Sequence, residues 1–161
     1  MFKKILIANR GEIAVRVIKT CRRMGIKTVV VYSDADAGSL ACEMADETVH
    51  IGPSPAAQSY LIQGRIVDAV KQTGAQAVHP GFGFLSENAG VARRLKAEGI
   101  AFIGPNPEAI DAMGDKITSK KFAAEAGVST VPGHMGLIET PDEAVKIARE
   151  IGYPVMIKAS A

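Results

Sequence analysis

The chain has 161 residues, and its 19 basic and 17 acidic side chains give a net charge of +2. This balance, an aromatic content of 5% and the lack of tryptophan argue against nucleic acid as a partner, because basic surface and base-stacking rings are both scarce. Hydrophobic residues make up 47% of the chain, but no apolar run reaches the length of a membrane span or a signal peptide, which predicts a soluble globular protein.

Short apolar strands alternate with helical patterns through the first two thirds of the chain. The predicted strands are Lys4–Ala8, Thr28–Tyr32, Thr48–Ile51, Ala75–Val78 and Ile100–Ile103, and the predicted helices are Glu12–Met24, Leu61–Thr73 and Glu87–Glu98. In the first helix, apolar side chains from Ile13 to Met24 share one arc, and Gly25 follows at the position favoured after a helix end. The alternation predicts an α/β fold, a doubly wound, Rossmann-like parallel sheet with helices on both faces.

The pattern changes after residue 105, where helices follow one another without an intervening strand. The predicted elements are a helix that begins at Pro107 behind Asn106, a helix over 117–126, a helix over 141–150 behind a capping box of Thr140 and Glu143, and a strand at Tyr153–Lys158. The change predicts two domains, residues 1–112 and residues 113–161. Because its single strand has no partner, we expect the second domain to be incomplete at residue 161.

The first strand-to-helix turn, Ala8–Glu12, lies where dinucleotide-binding proteins carry their glycine fingerprint. It has one glycine where that fingerprint has three, so the close approach to a pyrophosphate is missing. Asp34 and Asp36 follow the second strand, where a ribose-binding acid would lie. An NAD-binding oxidoreductase domain is therefore a weak alternative, and the simpler interpretation is that Asn9 and Arg10 hydrogen-bond the turn.

The segment His79–Asn88 follows the fourth strand, at the edge of the sheet where open α/β proteins bind ligands. Gly81 and Gly83 allow tight bends and the close approach of a ligand. Ser86 is a candidate cap for the next helix, with Glu87 in its first turn. From the residues alone, a ligand loop and a plain turn closed by an aromatic plug are equally good interpretations.

Two lysines are candidates for binding an anion. Lys116 follows a glycine at the start of a predicted helix, where backbone N–H groups favour phosphate. Lys158 ends an apolar strand, where an ammonium group needs solvent or an anion. Taken singly, each is more often a solvated surface charge.

The cysteines and histidines of the chain are interpreted as structural residues. Cys21 and Cys42 have no CxxC or Cys/His spacing, which favours inert thiols and a reducing, cytoplasmic setting. His79 is interpreted as a packing or hydrogen-bonding residue, and His50 and His134 lack partners for a metal site. The basic face of the first helix, formed by Arg16, Lys19 and Arg23, is either a solvated face or half of a subunit contact.

Four segments resemble the biotin carboxylase family in order and spacing, and the resemblance covers the whole chain. They are Ile5–Ala14, His79–Asn88, Met113–Lys116 and Ile151–Ser160. Within the family, residues 127–136 and 156–161 are most similar to the biotin-carrying α subunits of propionyl-CoA carboxylases. The resemblance implies a pre-ATP-grasp domain followed by the beginning of an ATP-grasp domain.

The family resemblance implies roles for four residues. Family members use ATP and Mg²⁺ to activate bicarbonate and then carboxylate biotin. The lysines that match Lys116 and Lys158 contact ATP in the family, and the loop at Phe82 and Gly83 would lie near biotin. The family more often has tyrosine where this chain has Phe82, so a hydroxyl contact is missing at that position.

The resemblance also implies partners and limits. The expected partners are a biotin carboxyl carrier domain, a carboxyltransferase subunit and a second copy of the biotin carboxylase domain. The family's ATP lid, magnesium ligands and catalytic residues are expected beyond residue 161, so this chain should carry no catalytic or metal-ligating residue and should be inactive alone. The alternative from another class is a folding or dimerisation module without nucleotide chemistry.

Overall fold

The computed structural model describes residues 1–114, 116–130, 133–134 and 136–158. The chain forms two compact units, Met1–Ile110 and Asp111–Ala161. The strands are β1 (Lys4–Ile7), β2 (Lys27–Tyr32), β3 (Glu47–His50), β4 (Ala77–His79) and β5 (Ala101–Phe102), and the helices are α1 (Gly11–Arg23), α2 (Leu40–Met44), α3 (Gln63–Thr73), α4 (Ala89–Ala97), α5 (Pro107–Gly114), α6 (Lys116–Glu125) and α7 (Pro141–Ile151). The predicted division at residues 112 and 113 stays a prediction, because compactness alone does not show which part folds independently.

The first unit is built on a five-stranded sheet in the order β3-β2-β1-β4-β5. Every neighbouring pair of strands is parallel, and β1 lies at the centre, where Leu6 pairs with Val29 of β2 and Val78 of β4. The chain winds outward in both directions from β1, as in doubly wound folds. The predicted fold class is confirmed.

Helices cover both faces of this sheet, which is why the strands are apolar on both sides. One face carries Leu6, Val29, Val31 and Val78 and packs against α3 and α4. The other face carries Ile5, Ile7, Val30 and Ala77 and packs against α1 and α2. The core of the first unit therefore lies in two layers, one on each side of the sheet.

Helix α1 turns the predicted apolar arc toward the core except at its end, with Ile13 and Val17 half-buried. Ala14, Ile18 and Cys21 are buried, whereas the side chain of Met24 is 50% exposed. The prediction for Met24 is wrong because the helix ends at Arg23 and the side chain of the capping residue leaves the arc. The predicted basic face is on the exposed side of the helix.

The predicted cap of α4 is also wrong by two residues. Asn88, and not Ser86, caps this helix, because the Asn88 side-chain oxygen accepts a hydrogen bond from Val91 N at 3.0 Å. Ser86 is still within the preceding turn, where its backbone N–H donates to Gly83 O at 2.9 Å. The segment that follows β4 is therefore a compact turn up to Asn88.

Helix caps in the later part of the chain follow the prediction, but the last strand does not. Asn106 accepts from Ala109 N at 2.8 Å, and Thr140 Oγ1 accepts from Glu143 N at 3.3 Å. The Glu143 carboxylate accepts from Glu139 N at 3.1 Å, one residue before the N–H that a complete capping box would use. The strand predicted at Tyr153–Lys158 is wrong, because residues 152–158 contain no strand. A strand is defined by pairing, and the described residues of the second unit offer no other strand to pair with. The end of the chain from residue 159 lies outside the described residues.

Candidate functional site

Two turns meet at the carboxyl edge of the sheet, one after β1 and one after β4. Asn9 connects them: its side-chain nitrogen donates to Pro80 O at 2.8 Å and to Phe82 O at 2.9 Å, and its oxygen accepts from Arg10 N at 2.9 Å. The side chain is only 1% exposed. Asn9 therefore holds its own turn, as predicted, and also the turn that begins 70 residues later.

Gly81 packs directly against this amide. Its φ of +66° is in the left-handed region, and a Cβ atom at this position would lie 2.6 Å from Asn9 Nδ2 and 2.7 Å from Ile13 Cγ2. Both the backbone conformation and the space therefore require glycine.

His79 closes the same turn from the end of β4. The backbone N–H of Gly81 donates to His79 Nδ1 at 3.0 Å, so this ring nitrogen is an acceptor. Burial, and secondarily the positive charge of Arg16, lowers the pKa of His79. The ring is neutral and structural, in agreement with its interpretation as a hydrogen-bonding residue.

A second group of contacts holds the far side of the turn. Phe84 has a φ of +46°, and its ring stacks on the ring of Tyr60 with a centroid separation of 4.9 Å and an interplanar angle of 2°. The guanidinium carbon of Arg10 lies 5.9 Å from the centroid of the Phe84 ring. Leu85 follows and is buried in the core. The aromatic plug expected in this turn is therefore Phe84.

The carboxylate of Asp36 links these groups to the end of β2. It accepts from Tyr60 Oη at 2.7 Å and from Ser33 Oγ at 2.8 Å, and Arg10 Nη1 lies 3.5 Å away. Burial raises the pKa of Asp36, but the hydrogen bonds from Tyr60 and Ser33 and the charge of Arg10 outweigh it, so the net pKa is lowered. Burial and the same carboxylate raise the pKa of Tyr60 to about 12. Asp36, weighed earlier as a ribose ligand, is engaged by the chain's own side chains.

Phe82 and Gly83, the residues predicted to contact a ligand, lie between the contacts of Asn9 and those of Phe84, and both are exposed. Phe82 is 62% exposed, and Gly83, with a φ of +66°, has no atom within 4 Å of the position a Cβ would take. We call Phe82 and Gly83 the loop apex. The arrangement presents the Phe82 ring and an exposed glycine to solvent on a turn whose flanks are fixed and whose two apex carbonyls accept from Asn9 and Ser86.

The two predicted lysines lie in the second unit. Lys116 is the first residue of α6, and its side chain lies outside the described residues, as does Asp115. Lys158 follows α7 and is exposed. The assignment of both lysines to a phosphate ligand stays a prediction.

The remaining polar groups include an Asp–His pair and two free cysteine thiols. Asp34 Oδ1 lies 2.6 Å from His50 Nε2, and within residues 1–114, 116–130, 133–134 and 136–158 no three His, Cys, Asp or Glu side chains are grouped to hold a metal ion. Cys21 is buried, and burial, followed by the charge of Asp46, raises the pKa of its thiol. No described helix has the length and apolar character needed to cross a bilayer.

Sequence comparison covers the chain with two family matches. Residues 1–110 match the family described as biotin carboxylase, N-terminal domain, and residues 115–161 match the carbamoyl-phosphate synthase L chain, ATP binding domain. The propionyl-CoA carboxylase alpha chain of Ruegeria pomeroyi is 69% identical over 161 residues, and the mitochondrial alpha chain of Mus musculus is 64% identical over 160. The match covers 100% and 99% of this chain but only 24% and 22% of those proteins.

Solved structures give the same similarity. The biotin carboxylase domain dimer of Hydrogenobacter thermophilus 2-oxoglutarate carboxylase, in complex with MgADP, ADP and bicarbonate, has a TM-score of 0.86 and 51% identity over 99% of this chain and 35% of that chain. The biotin carboxylase of Campylobacter jejuni, in complex with a β,γ-ATP ligand, has a TM-score of 0.84 and 43% identity over 96% of this chain and 34% of that chain.

Proposed function

Because the chain belongs to the biotin carboxylase family, we propose that it forms the N-terminal part of the biotin carboxylase component of a biotin-dependent acyl-CoA carboxylase. The family resemblance inferred from four sequence segments is confirmed. The observation that carries the proposal is the 62–69% identity to seven propionyl-CoA carboxylase alpha chains over nearly the whole chain, and propionyl-CoA is the substrate class it favours for the complete enzyme. The proposed activity is that of an ATP-dependent ligase.

Four residues of this chain have roles in the proposed reaction. ATP with Mg²⁺ supplies the activation of bicarbonate before biotin is carboxylated. Lys116 and Lys158 would bind the ATP phosphates, and an exposed ammonium group such as that of Lys158 fits this ligand. The loop apex, Phe82 and Gly83, would contact biotin through the exposed aromatic ring and the exposed glycine backbone. None of these residues is assigned to the metal, whose ligands belong to the longer protein in this proposal.

The proposed partners follow from the same family. They are a biotin carboxyl carrier domain, a carboxyltransferase subunit and a second copy of the biotin carboxylase domain. The Hydrogenobacter thermophilus domain was solved as a dimer, which supports the last of these. The two free cysteines suit a reducing compartment, and we place the protein in the cytoplasm.

An NAD-binding role is disfavoured by the contacts at the edge of the sheet. Asp36, the candidate ribose ligand, is occupied by Tyr60 and Ser33, and the first turn has the single glycine Gly11. A folding or dimerisation module without nucleotide chemistry is the remaining alternative, and nucleotide binding distinguishes it from the proposed enzyme.

The proposal is tested by steady-state ATP hydrolysis of the full-length protein, measured with and without bicarbonate and free biotin. We expect hydrolysis to depend on both substrates, and the 161-residue chain alone to show no turnover. Full-length protein that hydrolyses no ATP and binds no nucleotide in calorimetry would overturn the proposal and favour the non-catalytic module. Turnover by the 161-residue chain would contradict the assignment of the ATP lid, the magnesium ligands and the catalytic residues to the longer protein.

A further inference from the structure

We propose that Tyr60 and Asp36 are positioning residues for the loop apex, and that they act through the ring of Phe84. The inference rests on the proposed function, because it assigns to these two residues an effect on biotin and not on ATP. Neither residue is open to a ligand: Tyr60 is 2% exposed, and the Asp36 side chain is 14% exposed and accepts from Tyr60 and Ser33.

The loop apex is held by different contacts on its two sides. On its N-terminal side, Asn9 bonds the carbonyl of Phe82, and this contact does not depend on Phe84. On its C-terminal side, the Gly83 carbonyl accepts from the Ser86 N–H at 2.9 Å within the same turn, and the next residue, Phe84, ties this turn to the rest of the fold through its ring. The N-terminal side of the apex is thus anchored by hydrogen bonds to Asn9, and the C-terminal side by a local turn and the aromatic packing of Phe84.

The backbone of Phe84 has an unfavourable conformation that its ring contacts stabilise. Its φ of +46° is unfavourable for a bulky L-residue, and such a conformation persists only where surrounding contacts stabilise it. The contacts present are the parallel stack on Tyr60 and the guanidinium of Arg10 near the ring. If the stack is lost, Phe84 gains access to ordinary backbone conformations, and the apex moves with it.

Tyr60 is itself held in place by hydrogen bonds to its hydroxyl group. Its hydroxyl donates to the Asp36 carboxylate at 2.7 Å and accepts from the backbone N–H of Ser33 at 3.2 Å. Hydrogen bonds to a carboxylate are among the stronger ones in proteins. Asp36 also lies 3.5 Å from Arg10 Nη1, and Arg10 lies near the Phe84 ring, so Tyr60, Asp36, Arg10 and Phe84 form a closed set of contacts.

The kinetic test uses two substitutions of the same residue in the full-length protein. Tyr60→Leu removes the ring, and Tyr60→Phe keeps the ring but removes the hydroxyl. We expect Tyr60→Leu to raise KM for biotin about two- to tenfold, as the energy of one aromatic pair implies, with KM for ATP unchanged. Tyr60→Phe should restore only part of this loss, because the stack on Phe84 is retained while the hydrogen bond by which Asp36 holds the ring is removed.

A matched control separates positioning from general destabilisation. Val70 on α3 is buried in the same hydrophobic cluster as Tyr60, and Val70→Ala removes core volume there. We expect Val70→Ala to lower the unfolding midpoint while KM for biotin stays at the wild-type value. An equal rise in KM for biotin in Val70→Ala, a parallel rise in KM for ATP in Tyr60→Leu, or no change in Tyr60→Leu would each overturn the inference.

A second measurement needs no enzyme activity. The chain has no tryptophan, so Phe82→Trp places a single tryptophan at the exposed apex, and excitation at wavelengths where tyrosine does not absorb reports on it alone. In the 161-residue chain, we expect the tryptophan anisotropy to fall when Tyr60→Leu is added and to stay unchanged when Val70→Ala is added. Unchanged anisotropy with Tyr60→Leu would overturn the positioning role. A full-length protein without biotin-dependent turnover would overturn the proposed function, while the anisotropy still decides the inference.

Discussion

The side-chain nitrogen of Asn9 donates to the backbone carbonyl of Phe82 at 2.9 Å, across 73 residues of sequence. The same nitrogen also donates to Pro80 O, so one buried amide holds two carbonyls of the turn that follows β4, on either side of Gly81. A buried amide with its hydrogen bonds satisfied is stable in one orientation, and removing it would leave these carbonyls without partners. Asn9 thus ties the first turn of the fold to the candidate ligand loop.

The space beside Asn9 predicts different costs for two neighbouring glycines. Gly81 and Gly83 have the same φ of +66°, but only Gly81 has side-chain atoms within 3 Å of the position of a Cβ. Gly83→Ala should cost about 1–2 kcal/mol from its backbone conformation. Gly81→Ala should cost about 1–3 kcal/mol more, since Asn9 or Ile13 must move. Urea denaturation followed by circular dichroism measures both, and equal losses would contradict this account.

The neutral ring of His79 predicts a stability that falls in mild acid. Burial and the charge of Arg16 hold its folded pKa below the unfolded value of about 6.5, so the unfolded state takes up the proton first. This contribution to stability is fully present above pH 6.5 and is lost as the pH falls toward the folded pKa. Unfolding free energies measured between pH 5.5 and 8 should show the decline.

The matched variants for this prediction are two histidine-to-asparagine changes. His79→Asn keeps an acceptor for the Gly81 N–H but does not titrate, so it should flatten the pH dependence. His134 is exposed, and His134→Asn should leave the wild-type slope unchanged. A slope that persists in His79→Asn would show that another group is responsible.

The proposed contacts with ATP predict a loss of affinity in two lysine variants of the full-length protein. Lys116→Ala and Lys158→Ala each remove one charge-assisted hydrogen bond, a loss of about 1.5–3 kcal/mol. This corresponds to about a ten- to hundredfold fall in kcat/KM for ATP. Lys146 is an exposed lysine of α7, and Lys146→Ala is the control. Wild-type ATP kinetics in both variants would refute the assignment of the two lysines.

The basic face of α1 predicts an effect on assembly. If Lys19 and Arg23 form part of a subunit contact, the double change Lys19→Glu and Arg23→Glu should shift the full-length protein from dimer to monomer. The two glutamates would then face partner groups that are matched to basic side chains, and like charges would repel across the contact. The control reverses Arg94 and Lys96, two exposed charges of α4. Sedimentation velocity distinguishes the two cases, and an unchanged dimer in the α1 variant would identify this face as merely solvated.

Local patterns in the sequence determined the fold class and placed the bounds of the predicted helices to within two residues, although they did not predict α2. Apolar runs bounded by helical periodicity predict buried parallel strands, because both faces of such a sheet are covered. Caps such as Asn106 and Thr140 were predictable, because each cap acts on a backbone N–H three residues away. The loop of Phe82 and Gly83 was predictable as a candidate site from its position after a strand and from the family resemblance.

Only the tertiary structure decided how that loop is held. Asn9, Tyr60 and Asp36 reach the loop or its supports across 24–73 residues, and no periodic pattern in the sequence encodes such contacts. The same dependence on distant partners explains why the strand predicted at Tyr153–Lys158 is absent. This apolar run has no neighbouring strand to pair with among the described residues of the second unit. Strand formation and site geometry require partners from elsewhere in the chain, whereas caps and helix periodicity are complete within a few residues.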